Sequence, residues 1–332
     1  MKKIKIAQIG IGHDHALELL NCILKHPDIF EFVGLAIPES EKSDFPTRYD
    51  RVAKYNTLTV EEALNYEGLE AIAIETEELN LTKYTQMAAD RGLHIHMDKP
   101  GGADLAEFER MIETVKKNNC VLSLGYMYRY NSEVMELYRK IEAGELGEIY
   151  AVEAHMDCFH KPEKRQWLAR FPGGMLFFLG CHLIDFVYRI QGEPAEIIPM
   201  SMSTGIDGVT GQDLGMALFK YKNGISFVKT SAIECGGFMR RQLVVCGSKG
   251  TVELHPLERY LPGTKELVAD VYECFETAPF TVGPQHRVGE PQDRYDHMME
   301  AFAAMVRGEK TNPYTPDYEL ALYKVVLRAC GA

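Results

Sequence analysis

Hydrophobic positions come first in short continuous runs and later in alternation, and the change of period divides the chain. The runs at residues 4–9 (IKIAQI), 32–37, 71–74, 93–97 and 121–124 have the length of strands buried on both faces. Between them, apolar residues recur at helical spacing, as Ala16, Leu19, Leu20 and Ile23 do. Two of these helices carry start signals, Thr59-x-x-Glu62 and Asp104-x-x-Glu107, and the helix near 81–91 stops at Gly92. Strands alternating with helices predict a parallel, doubly wound α/β sheet up to residue 124.

After a helix near 132–143, ending at Gly144, the pattern becomes that of strands at 149–157, 195–203, 213–221, 225–233, 240–246 and 251–255. Asn223-Gly224 marks a tight hairpin, so this sheet is expected to be mostly antiparallel. One strong helix interrupts it at 175–190, and two more close the chain at 293–307 and 317–330. The expected organisation is a doubly wound α/β domain over 1–124 and an α/β domain with a mostly antiparallel sheet over 125–332. The hinge falls near Gly125, and the last helix packs back on the first domain.

Composition narrows the functions without changing this picture. Of 332 residues, 36 are Lys or Arg and 48 are Asp or Glu, a formal net charge of −12. Such a chain repels phosphate backbones and anionic lipid, which argues against nucleic acid and membrane surfaces as main partners. No apolar run approaches the roughly 20 residues of a membrane span, and Met1-Lys2-Lys3 leads straight into a strand, so a cytoplasmic protein is expected. Eight cysteines without a Cys-x-x-Cys pair read as reduced, mostly buried thiols, with Cys181 beside His182 a candidate nucleophile.

Gly10-Ile11-Gly12, between the first strand and the first helix, lets backbone amides approach a pyrophosphate that a β-carbon would block. The third position of that fingerprint is His15. His13, Asp14 and His15 are adjacent and should point apart from a turn, which disfavours a metal among them. Where an acid usually grips the ribose, the second strand ends Ala36-Ile37-Pro38, with Glu39 the nearest acid and Lys42 and Arg48 the nearest cations. Asp98-Lys99-Pro100 places a lysine where a buried strand stops, the usual ligand side of such sheets; an ordinary solvated loop lysine is the other reading. On the helix after Gly173-Gly174, His182 and Asp185 share a face, as do Asp185 and Arg189, so Asp185 can steady the imidazole or pair with Arg189.

Taken in order, the GIG turn, DKP at 98–100, GYMYRYN at 125–131 and GGMLFFLGCHLIDFVYRIQGEP at 173–194 resemble the Gfo/Idh/MocA oxidoreductases across the whole chain. The resemblance implies a Rossmann domain followed by an α/β domain whose open sheet joins copies into a homodimer or homotetramer. It implies NAD or NADP as cofactor and a sugar, inositol or related polyol as substrate. Lys99 and His182 become the catalytic pair, His182 taking the hydroxyl proton and Lys99 holding the hydroxyl. Gly10, Ile11, Gly12, His13, Ile37, Thr76, Glu77, Asp98, Lys99 and Pro100 fall on the cofactor side, and Tyr126, Arg129, Trp167 and His182 on the substrate side.

The departures from the family pattern cluster at this site. Phe178 stands where the family commonly has an aspartate one turn before the histidine. Thr76-Glu77-Glu78 replaces Thr-Pro-Asn, Leu81 a histidine, and Ile37 the ribose-reading acid. On the strand 149–157, Glu153, His155 and Asp157 share a face and His160 follows, so Asp157 or His160 is a candidate stand-in, supporting with Asp185. The same residues with His182 are an alternative metal set. Three functions fit: an NAD(P)-dependent dehydrogenase, a redox-assisted lyase or glycosidase that keeps its NAD, and a catalytically impaired regulator that binds cofactor or sugar.

Overall fold

The structure, a computed structural model, describes residues 2–275 and 283–332. Contacts group it into two compact units, Met1–Met127 with Tyr295–Tyr323, and Tyr128–Arg294 with Lys324–Ala332.

In the first unit the apolar runs become a six-stranded parallel sheet. Its strands are β1 (Ile4–Ile9), β2 (Phe30–Ala36), β3 (Asn56–Leu58), β4 (Ala71–Ile74), β5 (His94–Met97) and β6 (Leu122–Leu124), in the order β3-β2-β1-β4-β5-β6. Ile6, Ile9, Ile72, Ile74 and Ile95 are inaccessible to solvent, as continuous strands covered on both faces must be. Helices follow the strands: α1 (Ala16–Lys25), α2 (Glu39–Asp44), α3 (Pro46–Val52), α4 (Val60–Leu64), α5 (Leu81–Asp90) and α6 (Leu105–Lys117). Thr59 and Glu62 form the expected capping box of α4, and Asp104 caps α6. The sequence pattern gave no hint of α2 and α3, which are short and mostly polar. Strand order reverses between β1 and β4, the switch point at which such sheets bind ligands.

Register decides what gathers there. Ile9 pairs with Ala36 and Ile74, and Ile74 with Met97, so Gly10, Glu75 and Asp98 each begin the turn one step past a strand end. Gly10 has φ +96°, and a β-carbon on it would lie 2.5 Å from the Thr76 amide nitrogen.

The second unit begins with α7 (Ser132–Glu142). Its eight-stranded sheet contains β7 (Ile149–His155), β8 (Glu196–Met202), β9 (Leu214–Tyr221), β10 (Gly224–Ser231), β11 (Gln242–Gly247), β12 (Thr251–Leu254), and, past a two-stranded pair β13 (Arg259–Tyr260) and β14 (Leu267–Val268), β15 (Asp270–Cys274) and β16 (Gln285–Val288). All neighbours are antiparallel except β7 and β10. β9 and β10 turn at Lys222-Asn223, the expected hairpin.

The helix expected over 175–190 is interrupted. α8 (Pro162–Trp167) precedes α9 (Met175–Phe178), and α10 (Cys181–Gln191) starts after a break at Leu179-Gly180. Gly180 packs against the carbonyl of Leu176, 2.6 Å from where a β-carbon would stand, and continuous apolar spacing across the break hides it. α11 (Asp296–Val306) and α12 (Pro316–Ala329) close the chain. Of the eight cysteines, Cys22, Cys120, Cys181 and Cys330 are buried, so the expectation of mostly buried thiols holds for half of them.

Gly174 starts α9 at φ +54°, where a β-carbon would sit 2.1 Å from the Gln212 carbonyl oxygen. Gly174→Ala is therefore expected to lower stability by roughly 2–3 kcal/mol in urea unfolding, and a change below about 0.5 kcal/mol would contradict this packing.

Candidate active site

The ends of β1, β4 and β5 bring together a buried ionisable group. Lys99 is 1% exposed, its amide donates to Asp98 Oδ1 at 2.7 Å, and its peptide bond to Pro100 is cis. Asp98 Oδ2 lies 2.8 Å from His13 Nδ1 and 3.1 Å from His15 Nδ1. Gly125 makes room for this carboxylate, since a β-carbon there would be 2.5 Å from Asp98 Oδ1. The expectation that His13, Asp14 and His15 diverge is thus corrected. The two imidazoles converge on Asp98 while Asp14 turns to Arg48.

Burial sets the charges. It lowers the pKa of His13 to about 4, against Asp98, which pulls it up, so the ring is neutral near pH 7. His96 is lowered to about 4 by the same desolvation. Burial opposes ionising Asp98, but His13 and His15 hold it well below the usual carboxylate range. Glu75, fully buried and beside that charge, is pushed well above it, so Glu75 keeps its proton while Asp98 is the anion. Among the described residues, ligand atoms of His13, His15 and Asp98 lie within 4.8 Å of one another, as do those of Cys22, His26 and Asp296. In the second group Lys25 already pairs with Asp296.

The glycine turn is a cradle of amides. A β-carbon on Gly12 would lie 2.3 Å from the Glu77 nitrogen, so the turn after β1 and the turn after β4 touch backbone to backbone. The amides of Ile11, Gly12 and Glu77 converge, and all three donate to the carboxylate of Glu41, at 2.7, 3.0 and 2.7 Å. Beyond β2 a cleft of about 670 Å³ runs past Ile37, Lys42, Thr59, Lys83 and Tyr84. Amides converging at a glycine turn beside a roomy cleft fit the pyrophosphate and adenosine of a dinucleotide.

The expectation for the ribose-binding end is corrected in part. Glu39, the nearest acid in sequence, is exposed and pairs with Lys42. Arg48 is spent on the turn itself, donating to the carbonyls of Ile11, Gly12 and His13 and to Asp14. The inward acid is Glu41, a residue the sequence pattern did not single out. Thr76 and Ile37 are both buried.

In the second unit His182 is 1% exposed on α10, its ring edge-on to Tyr128 at 5.0 Å. Asp185, expected to steady that imidazole or to pair with Arg189, is buried on the same helix. It takes a two-pronged grip from Arg129, at 2.9 and 2.8 Å, while Arg189 reaches Glu142. Arg129, expected on the substrate side, is a buried cation held by this carboxylate. Phe178 faces the Trp167 ring at 5.4 Å and the His160 ring at 6.4 Å, with Lys164 Nζ 4.5 Å above its own ring. Around Phe178 the chain thus builds an aromatic and cationic face. Asp157, a candidate stand-in, pairs with Lys229 at 3.1 Å, and His155 lies against Phe227. Among the described residues, His155, Asp157, His160 and His182 do not gather as a ligand set.

Beside His182 lies a network that sequence reasoning missed. Tyr128 donates to Glu258 Oε1 at 2.6 Å, Arg241 donates to the same oxygen at 2.7 Å, and Arg294 meets Oε2 at 2.8 Å. Burial pushes the Tyr128 phenol far up, and Glu258 adds to the shift. Only the tyrosine-rich run at 126–130 could have drawn notice to it. Tyr126, in the first unit, is buried too.

Comparison with known proteins gives these residues a context. Residues 4–126 match the model of an oxidoreductase family with an NAD-binding Rossmann fold, and residues 134–253 match the GFO/IDH/MocA C-terminal domain. The chain is 26% identical over 164 residues to a myo-inositol 2-dehydrogenase of Thermotoga maritima, covering 48% of each chain. It is 23% identical over 253 residues to a D-glucoside 3-dehydrogenase of Escherichia coli, covering 68% of this chain and 66% of that one. With several curated relatives the aligned stretch spans only about half of the relative's length. An aldose-aldose oxidoreductase from Caulobacter crescentus superposes with TM-score 0.79 at 18% identity, over 99% of this chain and 98% of that one, a likeness of fold.

The buried histidines make a pH test. Both fold neutral, so the unfolded chain takes up protons that the folded chain refuses; their share of stability is complete above about pH 6.5 and is lost as pH falls toward 4. Ring resonances of His13 and His96 are expected to stay neutral from pH 8 to 5 by NMR. An inflection near 6.5 for either would contradict the burial described.

Proposed function

Because the chain belongs to the Gfo/Idh/MocA oxidoreductase family, whose N-terminal part is an NAD-binding Rossmann fold, we propose that it moves a hydride between NAD or NADP and a carbinol carbon of a sugar, inositol or related polyol. The observation that carries the reading is the amide cradle of Ile11, Gly12 and Glu77 at the switch point, with buried Lys99 at the end of the neighbouring strand. Bound nicotinamide supplies the hydride acceptor or donor.

The residues divide the remaining work. Lys99 binds the carbinol oxygen and stabilises negative charge on it, and Asp98, fixed between two imidazoles, holds the lysine backbone. His182 accepts the hydroxyl proton during oxidation and returns it during reduction. Proton handling of this kind contributes a factor of about 10² to 10⁴ in rate, roughly 3–5 kcal/mol. The aromatic face of Phe178 and Trp167 suits the carbon-bound hydrogens of a sugar ring. We also read the exposed Ile198, Met200 and Met202 of β8 and Ile225 of β10 as a contact face between copies in a homodimer or homotetramer. Among the described residues no helix is long and apolar enough to cross a membrane.

A second reading draws on Phe178, which removes a carboxylate from the site: the cofactor stays bound and transient oxidation drives elimination or glycoside cleavage. The two differ in net turnover. In an assay with inositols, aldoses and glucosides plus NAD or NADP, the dehydrogenase predicts steady absorbance growth at 340 nm. Lys99→Met and His182→Ala should each lower kcat by 10²- to 10⁴-fold. Full activity in both variants would remove the proposed pair, and product without 340 nm growth would favour the lyase.

A further inference from the structure

Glu41 occupies the place that a dinucleotide's pyrophosphate would take. Its Oε2 accepts from the amides of Ile11 and Gly12, its Oε1 from the amide of Glu77, and the residue is 2% exposed. A carboxylate and a phosphate offer donors the same thing, anionic oxygens at hydrogen-bonding distance, and three amides cannot serve both. We infer that Glu41 is an internal competitor of the dinucleotide, so that cofactor enters only as Glu41 withdraws. This rests on the cofactor assignment of the preceding section.

The element that carries Glu41 is built to let go. α2 has six residues, no side-chain cap at its N-terminus, and Glu41 as its one buried residue. Glu39 and Ser40 before it are exposed. The helix is thus held down chiefly by the carboxylate that must move. Burial raises the pKa of Glu41 against the pull of its three amide bonds, so the buried charge is strained by desolvation as well as held by its donors. On the other side of the same turn, Arg48 of α3 donates to the carbonyls of Ile11 and His13 at 3.1 and 2.9 Å. Residues 39–48 therefore clasp both the N–H and the C=O groups of the glycine turn, and releasing one bond set leaves the other to guide the segment back.

Apparent affinity for a ligand falls by the fraction of molecules whose site is open. Glu41→Ala removes the competitor and should tighten NADH binding about 10- to 100-fold in a fluorescence titration, with Glu41→Gln intermediate because a neutral amide holds the donors less strongly. Inorganic pyrophosphate, a probe of the cradle alone, should raise the melting temperature of Glu41→Ala and leave the wild type nearly unchanged. In the wild type, saturating NADH should speed hydrogen exchange over residues 39–48 and slow it over 8–13, a readout that does not depend on the variants folding.

If NADH binds wild type and both variants alike, or the variants more weakly, or if residues 39–48 become protected with NADH, Glu41 is a structural brace and the competition is excluded. If pyrophosphate stabilises Glu41→Ala while no form binds NADH or NADPH up to millimolar concentration, the competition stands and the dinucleotide assignment falls. If neither probe binds any form, both fall.

Discussion

The turn after β1 and the turn after β4 approach so closely that neither Gly10 nor Gly12 has room for a β-carbon, because the Thr76 and Glu77 backbone is already there. This contact between two loops of one sheet arranges the rest of the first unit. It aims the amides of Ile11, Gly12 and Glu77 at one point, and the parallel register of β4 and β5 then sets Glu75 and Asp98 beside them. Three amides aimed together are an anion site whether or not a ligand is present, and a folded chain satisfies such buried donors. Glu41 satisfies them here.

The same crowding governs the charges. Asp98 and Glu75 sit too deep to be ionised together, and the proton rests on Glu75 because two imidazoles favour the charge on Asp98. Lys99 follows Asp98 directly and acts electrostatically on both His13 and Glu75. Under the proposed function it is this lysine that grips the developing alkoxide. In the second unit His182 lies edge-on to Tyr128, which belongs to a charged network with Glu258, Arg241 and Arg294.

Much of the architecture was legible in the sequence because parallel strands and hairpins have local signatures. The runs up to residue 124, the glycine turn, the strand end before Lys99 and the Asn223-Gly224 hairpin each follow from neighbours a few positions away. What was not legible depends on distant partners. Whether Glu39 or Glu41 turns inward is decided by the phase of a six-residue helix against a turn some 30 positions earlier. Asp185 could be matched in sequence only with residues on its own helix, yet its partner Arg129 lies 56 positions away. The Tyr128 network joins segments more than 100 residues apart and leaves no local trace. The break at Gly180 was visible as a glycine, but the apolar spacing continued through it.

The central claim is that the glycine turn and Lys99 form one dinucleotide site from which Glu41 must withdraw, and a crystal structure of the protein grown with NADH tests it most directly. That crystal is expected to show pyrophosphate oxygens on the amides of Ile11 and Gly12, the nicotinamide beside Lys99, and the Glu41 carboxylate away from all three donors. A dinucleotide bound elsewhere, with Glu41 still bonded to Ile11, Gly12 and Glu77, would contradict it.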